Sequence, residues 1–324
     1  MSEILSPVGS IESFYAAINS NADAIYLAGT KYGARASASK FDLSDIKFMI
    51  NTAHLYKVKV YITINTLIYD DEIEDLLKFT DELYLSNVDA FIIQDLGLLN
   101  IFSKRYPVLD LHISTQDNIK SVNEALFFEK FKNVKRIVLA RETPIETIKE
   151  IKEKTNLEVE VFVHGAICMS YSGNCLFSSM LFSKSGNRGE CLQPCRLNYS
   201  LLENGIKKDE GFLLSPKELC TIDYLDELIN IGVDSFKIEG RAKSPEYVAY
   251  VTKVYKEKLL NKDKKISEIE IENLKRIYNR SFTKGYIFSE NPKDIVNSFR
   301  PNHQGIILGE IIKNDSNYIK IKLE

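Results

Sequence analysis

The 324-residue sequence lacks most of the short motifs that assign a chemistry directly. It has no C-x2-C pair, the usual sign of structural zinc. It has no HExxH, so a zinc-protease helix is not written into it, and no GxSxG elbow for a serine nucleophile. No GxGxxG follows the first strand-like run, which argues against dinucleotide binding. No apolar run approaches the length of a bilayer span. The opening MSEILSPVGS carries neither a basic region nor an apolar stretch, so no signal peptide is expected. A net charge of −3 supplies no global basic field, and contact with nucleic acid would need a local patch.

What is present is ordinary for a globular chain: 44% hydrophobic and 27% charged residues, in a length that fills one large domain or two smaller ones. A cytoplasmic protein without membrane contact is expected. Thiols stay reduced there, so clustered cysteines read as metal ligands or catalysts before disulfides.

Short β-rich apolar runs alternate with helix-like segments from the start. The expected strands are Glu3–Leu5, Ala24–Leu27, Lys59–Asn65, Ala90–Gln94, Asp110–Thr115, Arg136–Ala140, Leu157–Val163 and Ser235–Glu239. Helical spacing lies between them, for instance Leu43, Ile46, Met49 and Ile50 within 42–56, and Pro144 suits a first helical turn. Such units with continuous apolar strands predict an α/β fold, a (β/α)8 TIM-barrel-like parallel barrel, over an open doubly wound sheet. The catalytic domain is expected at 1–262, with a cysteine-rich insertion at 164–218 after strand seven that ends in a hairpin turning at Asn204–Gly205. A helix is expected at Leu219–Ile229, a helical extension at 263–300, and the start of a small C-terminal β domain at 301–324, with two strands joined at Asn314–Asn317.

The insertion holds four of the five cysteines, Cys168, Cys175, Cys191 and Cys195, spaced C-x6-C-x15-C-x3-C among small and turn-forming residues, with His164 just ahead. Thiols this dense in a polar loop are expected to bind metal. Spacing alone leaves a structural zinc and a 4Fe-4S cluster open. Cys220 reads as a core residue of the following helix.

Barrel strand ends converge on one face. That places Asn65, Gln94, Asp95, His112, Ser114, Gln116, Arg141, His164, Glu239 and Arg241 as site candidates. His112, His164, Glu239 and Arg241 are the expected catalytic set, with the two histidines suited to proton transfer near neutrality. Either histidine alone reads more often as a satisfied structural residue; together, at two strand ends facing one mouth, the two readings weigh equally. Asn65, Gln94, Gln116, Arg141, Arg188, Arg196 and Lys243 are the expected substrate contacts, arginine being suited to carboxylate or phosphate. Lys184, Arg188, Arg196, Lys237, Arg241 and Lys243 form the candidate local basic patch, with Tyr171 and Tyr199 available to stack on a base.

The runs VFVHGAICMSYSGNC, SGNRGECLQPCR and SFKIEGRAKSPEYV closely resemble the peptidase U32 family. SPVGSIESFYAAINSNADAIYLAG and RPNHQG resemble its longer form, so the likeness covers essentially the whole chain. The resemblance implies oxygen-independent or prephenate-dependent hydroxylation of a base in transfer or ribosomal RNA, or of the ubiquinone ring. It also implies a 4Fe-4S cluster on Cys168, Cys175, Cys191 and Cys195, with zinc as the lesser alternative, and an electron donor or partner protein. The peptidase in the family name finds little support in the residues. Ser172 lies near His164 without a triad, and a cysteine protease would leave three thiols without a role. A metal-stabilised RNA-binding module without catalysis is a further alternative.

Overall fold

The computed structural model describes residues 2–34, 41–261, 263–288, 291–315 and 318–323. In chain order the first half runs β1 (Glu3–Pro7), α1 (Ile11–Asn19), β2 (Ala24–Leu27), α2 (Leu43–Leu55), β3 (Lys59–Ile64), α3 (Ile73–Leu85), β4 (Ala90–Ile93), α4 (Leu96–Arg105), β5 (Asp110–Ile113), α5 (Val122–Glu129), β6 (Val134–Val138), α6 (Ile145–Lys154) and β7 (Glu158–Ala166). The second half adds α7 (Phe177–Phe182), β8 (Tyr199–Glu203), β9 (Ile206–Gly211), β10 (Glu218–Cys220), α8 (Leu225–Asn230), β11 (Ser235–Ile238), α9 (Pro245–Leu260), α10 (Glu268–Ile277), β12 (Phe282–Thr283), β13 (Gly309–Asn314) and β14 (Ile319–Leu323).

Strands β1 to β7 pair in sequence order, β11 pairs parallel with β1, and β11 also pairs parallel with β7. That last pairing closes the sheet into an eight-stranded parallel barrel and excludes the open sheet. The strand sequences read as continuous apolar runs because both faces are covered. Outward residues such as Ile25, Ile62, Leu111 and Val161 pack under the helices. Inward, Leu5, Ala24, Tyr26, Tyr61, Ala90 and Ile92 form a separate apolar cluster. Side-chain caps set several helix starts: Ser10 for α1, Asp42 for α2 and Ser244 for α9, the last followed by Pro245 in the first turn. Pro144 does not sit in a first turn; it is the extended residue just before α6.

The barrel interior below its mouth is ionic. Arg136 donates to Glu158 at 2.7 Å and to Glu160 at 3.2 Å, and also pairs with Glu3. Lys237 donates to Glu160 at 2.7 Å. All but Glu158 are almost wholly buried.

Three sequence expectations change here. Strand seven runs on past the barrel to Ala166, and its end pairs antiparallel with β10, with Cys220 opposite His164. Cys220 therefore lies in a strand, and the following helix begins only at Leu225 after a short 3-10 turn at Ile222–Tyr224. The hairpin is found as expected, β8 and β9 turning at Asn204 and Gly205, both at positive φ. The 263–300 stretch is only partly helical, because β12 joins the edge of β10. The final hairpin, β13 with β14, forms a separate two-stranded sheet; of the expected junction at Asn314–Asn317, Ser316 and Asn317 lie outside the described residues.

Candidate functional site

The C-terminal ends of the barrel strands open into a cavity of about 700 Å³. Its floor and sides come from the barrel: Asn65 after β3, Ser114 and Gln116 after β5, Arg141 after β6, Phe162 in β7, and Lys237, Glu239 and Arg241 along and after β11. Its roof is the cysteine segment, and all four of Cys168, Cys175, Cys191 and Cys195 line it.

The barrel side is held by short polar contacts. Asn65 accepts from the Ala34 amide at 2.9 Å and donates to Ser114 at 3.3 Å. Arg241 donates to the Thr63 hydroxyl at 3.1 Å. Arg141 lays its guanidinium 4.2 Å over the Phe162 ring, and its Nε is buried without a hydrogen-bond partner. Residues 237, 239 and 241 alternate along one chain direction and all reach the cavity.

The roof is clipped down at several points. The Ser172 amide and hydroxyl both donate to the Glu142 carboxylate at 3.0 Å, and Ser172 in turn accepts from the Arg141 amide at 3.2 Å. Gly173 has φ +75° and passes so close to the Gln116 carbonyl that a Cβ would collide with it. On the far side Arg188 donates to Glu72 at 2.6 and 2.7 Å and to the Leu67 carbonyl at 2.6 Å. Arg196 donates to Ser215 at 3.1 Å and to the Pro216 carbonyl at 2.9 Å. Burial, with the nearby Arg280 charge, holds the Arg196 guanidinium below its usual range.

Cys168 and Cys191 are exposed, while Cys175 and Cys195 are partly buried. Burial pushes the Cys195 thiol up to about 11, and the other three thiols act on it in the same direction. Among the described residues no three His, Cys, Asp or Glu side chains stand close enough to share one metal ion. Tetrahedral zinc would draw four sulfurs to about 3.8 Å of each other. A four-iron cube takes one thiolate per iron, so four thiols with no acid among them supply its donor set as they supply that of a tetrahedral zinc.

Several expected site residues lie elsewhere. His112 points into the barrel interior below the cavity, its ring 4.7 Å from that of Tyr61. Burial, with Arg136 and Lys237 nearby, pushes its pKa well down. His164 faces outward among Tyr247, Tyr255 and Phe282, 1% exposed, and burial lowers its pKa to about 3. A register shift in the β7–β11 pairing sets His164 opposite Ile238, which belongs to the outer core. No histidine is among the residues that line the cavity.

Gln94 is buried and not among the residues lining the cavity, and Asp95 caps α4. Arg188 is spent on Glu72, and Lys243 sits 2.8 Å over the Tyr278 ring, away from the cavity. Lys184 pairs with Glu190, and Tyr199 donates to the Pro194 carbonyl with its ring stacked on Phe177. Tyr171 does reach the cavity, 60% exposed, with the Lys120 amine 4.3 Å over its ring. Lys237, which the sequence assigns to a surface patch, is instead cavity floor; its two-residue spacing from Glu239 and Arg241 carried that signal. Tyr26 and Phe162 also line the cavity and had no distinguishing sequence mark.

Comparison with known proteins agrees with this architecture. Along its full length the chain is 36% identical to a Methanocaldococcus jannaschii protein named an uncharacterized protease, covering 79% of that protein. It is 36% identical to tRNA hydroxylation protein P1 of Bacillus subtilis, over 78% of this chain and 62% of the relative. It is 40% identical to the 23S rRNA 5-hydroxycytidine C2501 synthase of Escherichia coli, over 79% of this chain but only 39% of that protein. The solved structure of a U32 peptidase shares the fold at a TM-score of 0.51 and 17% identity, covering 74% of this chain and 92% of that one. The sequence profile of Peptidase family U32 matches residues 9–297, from the first β–α turn through the strand beyond α10. The barrel after β1, the cysteine-rich roof, α10 and β12 all fall inside that match, and the chain belongs to the peptidase U32 family.

Proposed function

We propose that this chain is the barrel of a cytoplasmic RNA-modifying enzyme that hydroxylates a base in transfer or ribosomal RNA. The observation that carries this reading is a single cavity with four thiols on its roof and Lys237, Glu239 and Arg241 facing them from the barrel. Its volume of about 700 Å³ suits a flipped-out base with a small co-substrate beside it. The names of the two RNA-hydroxylating relatives support the same assignment.

Cys168, Cys175, Cys191 and Cys195 would hold the 4Fe-4S cluster. When bound it would supply one-electron redox capacity at the cavity roof. Replacing a ring C–H by C–OH needs an oxygen atom and takes two electrons from the ring. The oxygen source in this reading is a prephenate-like donor, and the electrons leave to a partner protein. Arg241 and Arg141 are placed to grip the donor's carboxylates. Tyr171, at the rim, offers a face for the base.

A peptidase is the weaker reading, because no histidine lines the cavity to activate a serine or thiol nucleophile. Modification of a quinone-like ring would use the same cavity, and a purely RNA-binding role would use only its rim. The discriminating experiment is mass spectrometry of nucleosides from a strain lacking the gene. One hydroxylated base should disappear and return with the wild-type gene but not with Cys175→Ser. An unchanged nucleoside profile would refute the RNA reading.

A further inference from the structure

We infer that Lys237 is an imine-forming lysine, whose amine condenses with the carbonyl of a small 2-oxo acid bound in the cavity. Lys237 lies on the cavity floor, 4% exposed, with its Nζ 2.7 Å from Glu160 and 4.5 Å over the Tyr26 ring. A lysine becomes nucleophilic when it is withdrawn from water, lies near other cations and has a base to take its proton. All three conditions meet here. Burial disfavours the charged form of Lys237 most strongly, Glu160 in contact favours it and is the base at hand, and Arg241 and Arg136 act with burial, leaving the amine below its usual range.

The surrounding ions allow the exchange. Glu160 accepts from Lys237 through one carboxylate oxygen and from Arg136, at 3.2 Å, through the other. When Glu160 takes the ammonium proton it keeps Arg136 as a partner. The free amine then adds to the carbonyl carbon to give a carbinolamine. Glu160 returns the proton to the hydroxyl, which leaves as water, and the product is a protonated imine. One C=N bond replaces one C=O bond, no electrons are gained or lost, and the site keeps its single positive charge.

The carboxylate beside the carbonyl is read from the arginines. Arg241 follows Lys237 on the same face, and Arg141 stands over Phe162 with a buried Nε that lacks a partner. A carbonyl for the lysine with an adjacent carboxylate for a guanidinium describes a 2-oxo acid. The apolar rings of Tyr26 and Phe162 leave room for an apolar substituent.

This inference rests on the reading that the cavity binds the co-substrate, and on neither the cluster nor RNA. The test is reductive trapping: the full chain is incubated with pyruvate or phenylpyruvate and sodium cyanoborohydride, then weighed intact and peptide-mapped. One reduced adduct per chain on Lys237 is expected, absent from Lys237→Arg, and formed roughly a hundredfold more slowly in Glu160→Gln. Single variants leave a buried partner charge, so the neutral pair Lys237→Met with Glu160→Gln, checked by circular dichroism, separates lost chemistry from lost folding. Wild-type protein with no adduct, or with adducts on surface lysines while Lys237 stays unmodified, would overturn the inference. An adduct at Lys237 in a protein whose deletion changes no nucleoside would leave it standing while the RNA reading fails.

Discussion

Arg188 and Glu72 face each other in a bidentate pair, 2.6 and 2.7 Å apart, that fastens the cysteine segment to the loop after β3. The guanidinium also lies 4.3 Å over the Tyr69 ring. Arg188 thus positions the roof rather than contacting substrate. Arg188→Ala should cost about 1 kcal/mol, since both side chains remain partly exposed. Limited proteolysis should then cut within 167–197 faster while RNA affinity is unchanged. The Arg188 contact also lowers the Glu72 pKa. The pair's contribution is therefore complete above the unfolded glutamate value of about 4.3 and is lost as pH falls through the lower folded value. Unchanged proteolysis together with weakened RNA binding would contradict this role.

Arg136 should matter more for stability than any exposed ion. It is 3% exposed, and its removal leaves Glu3 with only hydroxyl donors, from Tyr61 and Ser235, and Glu160 with Lys237 alone. Arg136→Met is expected to lower the unfolding free energy by about 3–5 kcal/mol, read from urea midpoints. A midpoint equal to that of the wild type would mean the interior ions are not coupled as described.

His164 should stay neutral throughout the working range. Its pKa of about 3 is below the unfolded value, so the stability gained by burying it is full above about pH 6.5 and declines as pH falls toward 3. Its ring resonances should hold constant from pH 5 to 8. A titration midpoint near 6.5 would place the ring in solvent and reopen a proton-transfer role.

Asp117 carries the opposite shift. Burial, with the Asp95 charge adding, raises its pKa to about 8, and its Oδ2 is buried without a partner. A raised carboxyl contributes fully below the unfolded value of about 3.9 and loses that contribution as pH climbs through 8. Asp117→Asn should therefore raise the melting temperature at pH 9 and change it little at pH 4. Equal effects at both pH values would show that ionisation is not the cause.

The barrel was legible because buried parallel strands leave continuous apolar runs such as KVYITI and AFII between amphipathic helices. The three-residue β10 and two-residue β12 were not, since elements so short have no period and exist only by pairing with the end of β7 and with each other. The four cysteines were marked by their density and by the resemblance to the family motif, and all four line the cavity. His164 was misplaced because a bulge breaks strand parity beside it, where the only local mark is Gly165 at φ +105° within the strand. Arg188 and Lys243, expected as substrate contacts, stand instead against Glu72 and Tyr278, partners too distant in sequence to be read from it.

The most direct measurement is iron, sulfide and zinc analysis with a visible spectrum of protein purified without oxygen. About four irons and four sulfides per chain with broad brown absorption are expected, and Cys191→Ser should reduce both. Colourless protein holding one zinc, or no metal at all, would contradict a redox site at the barrel mouth.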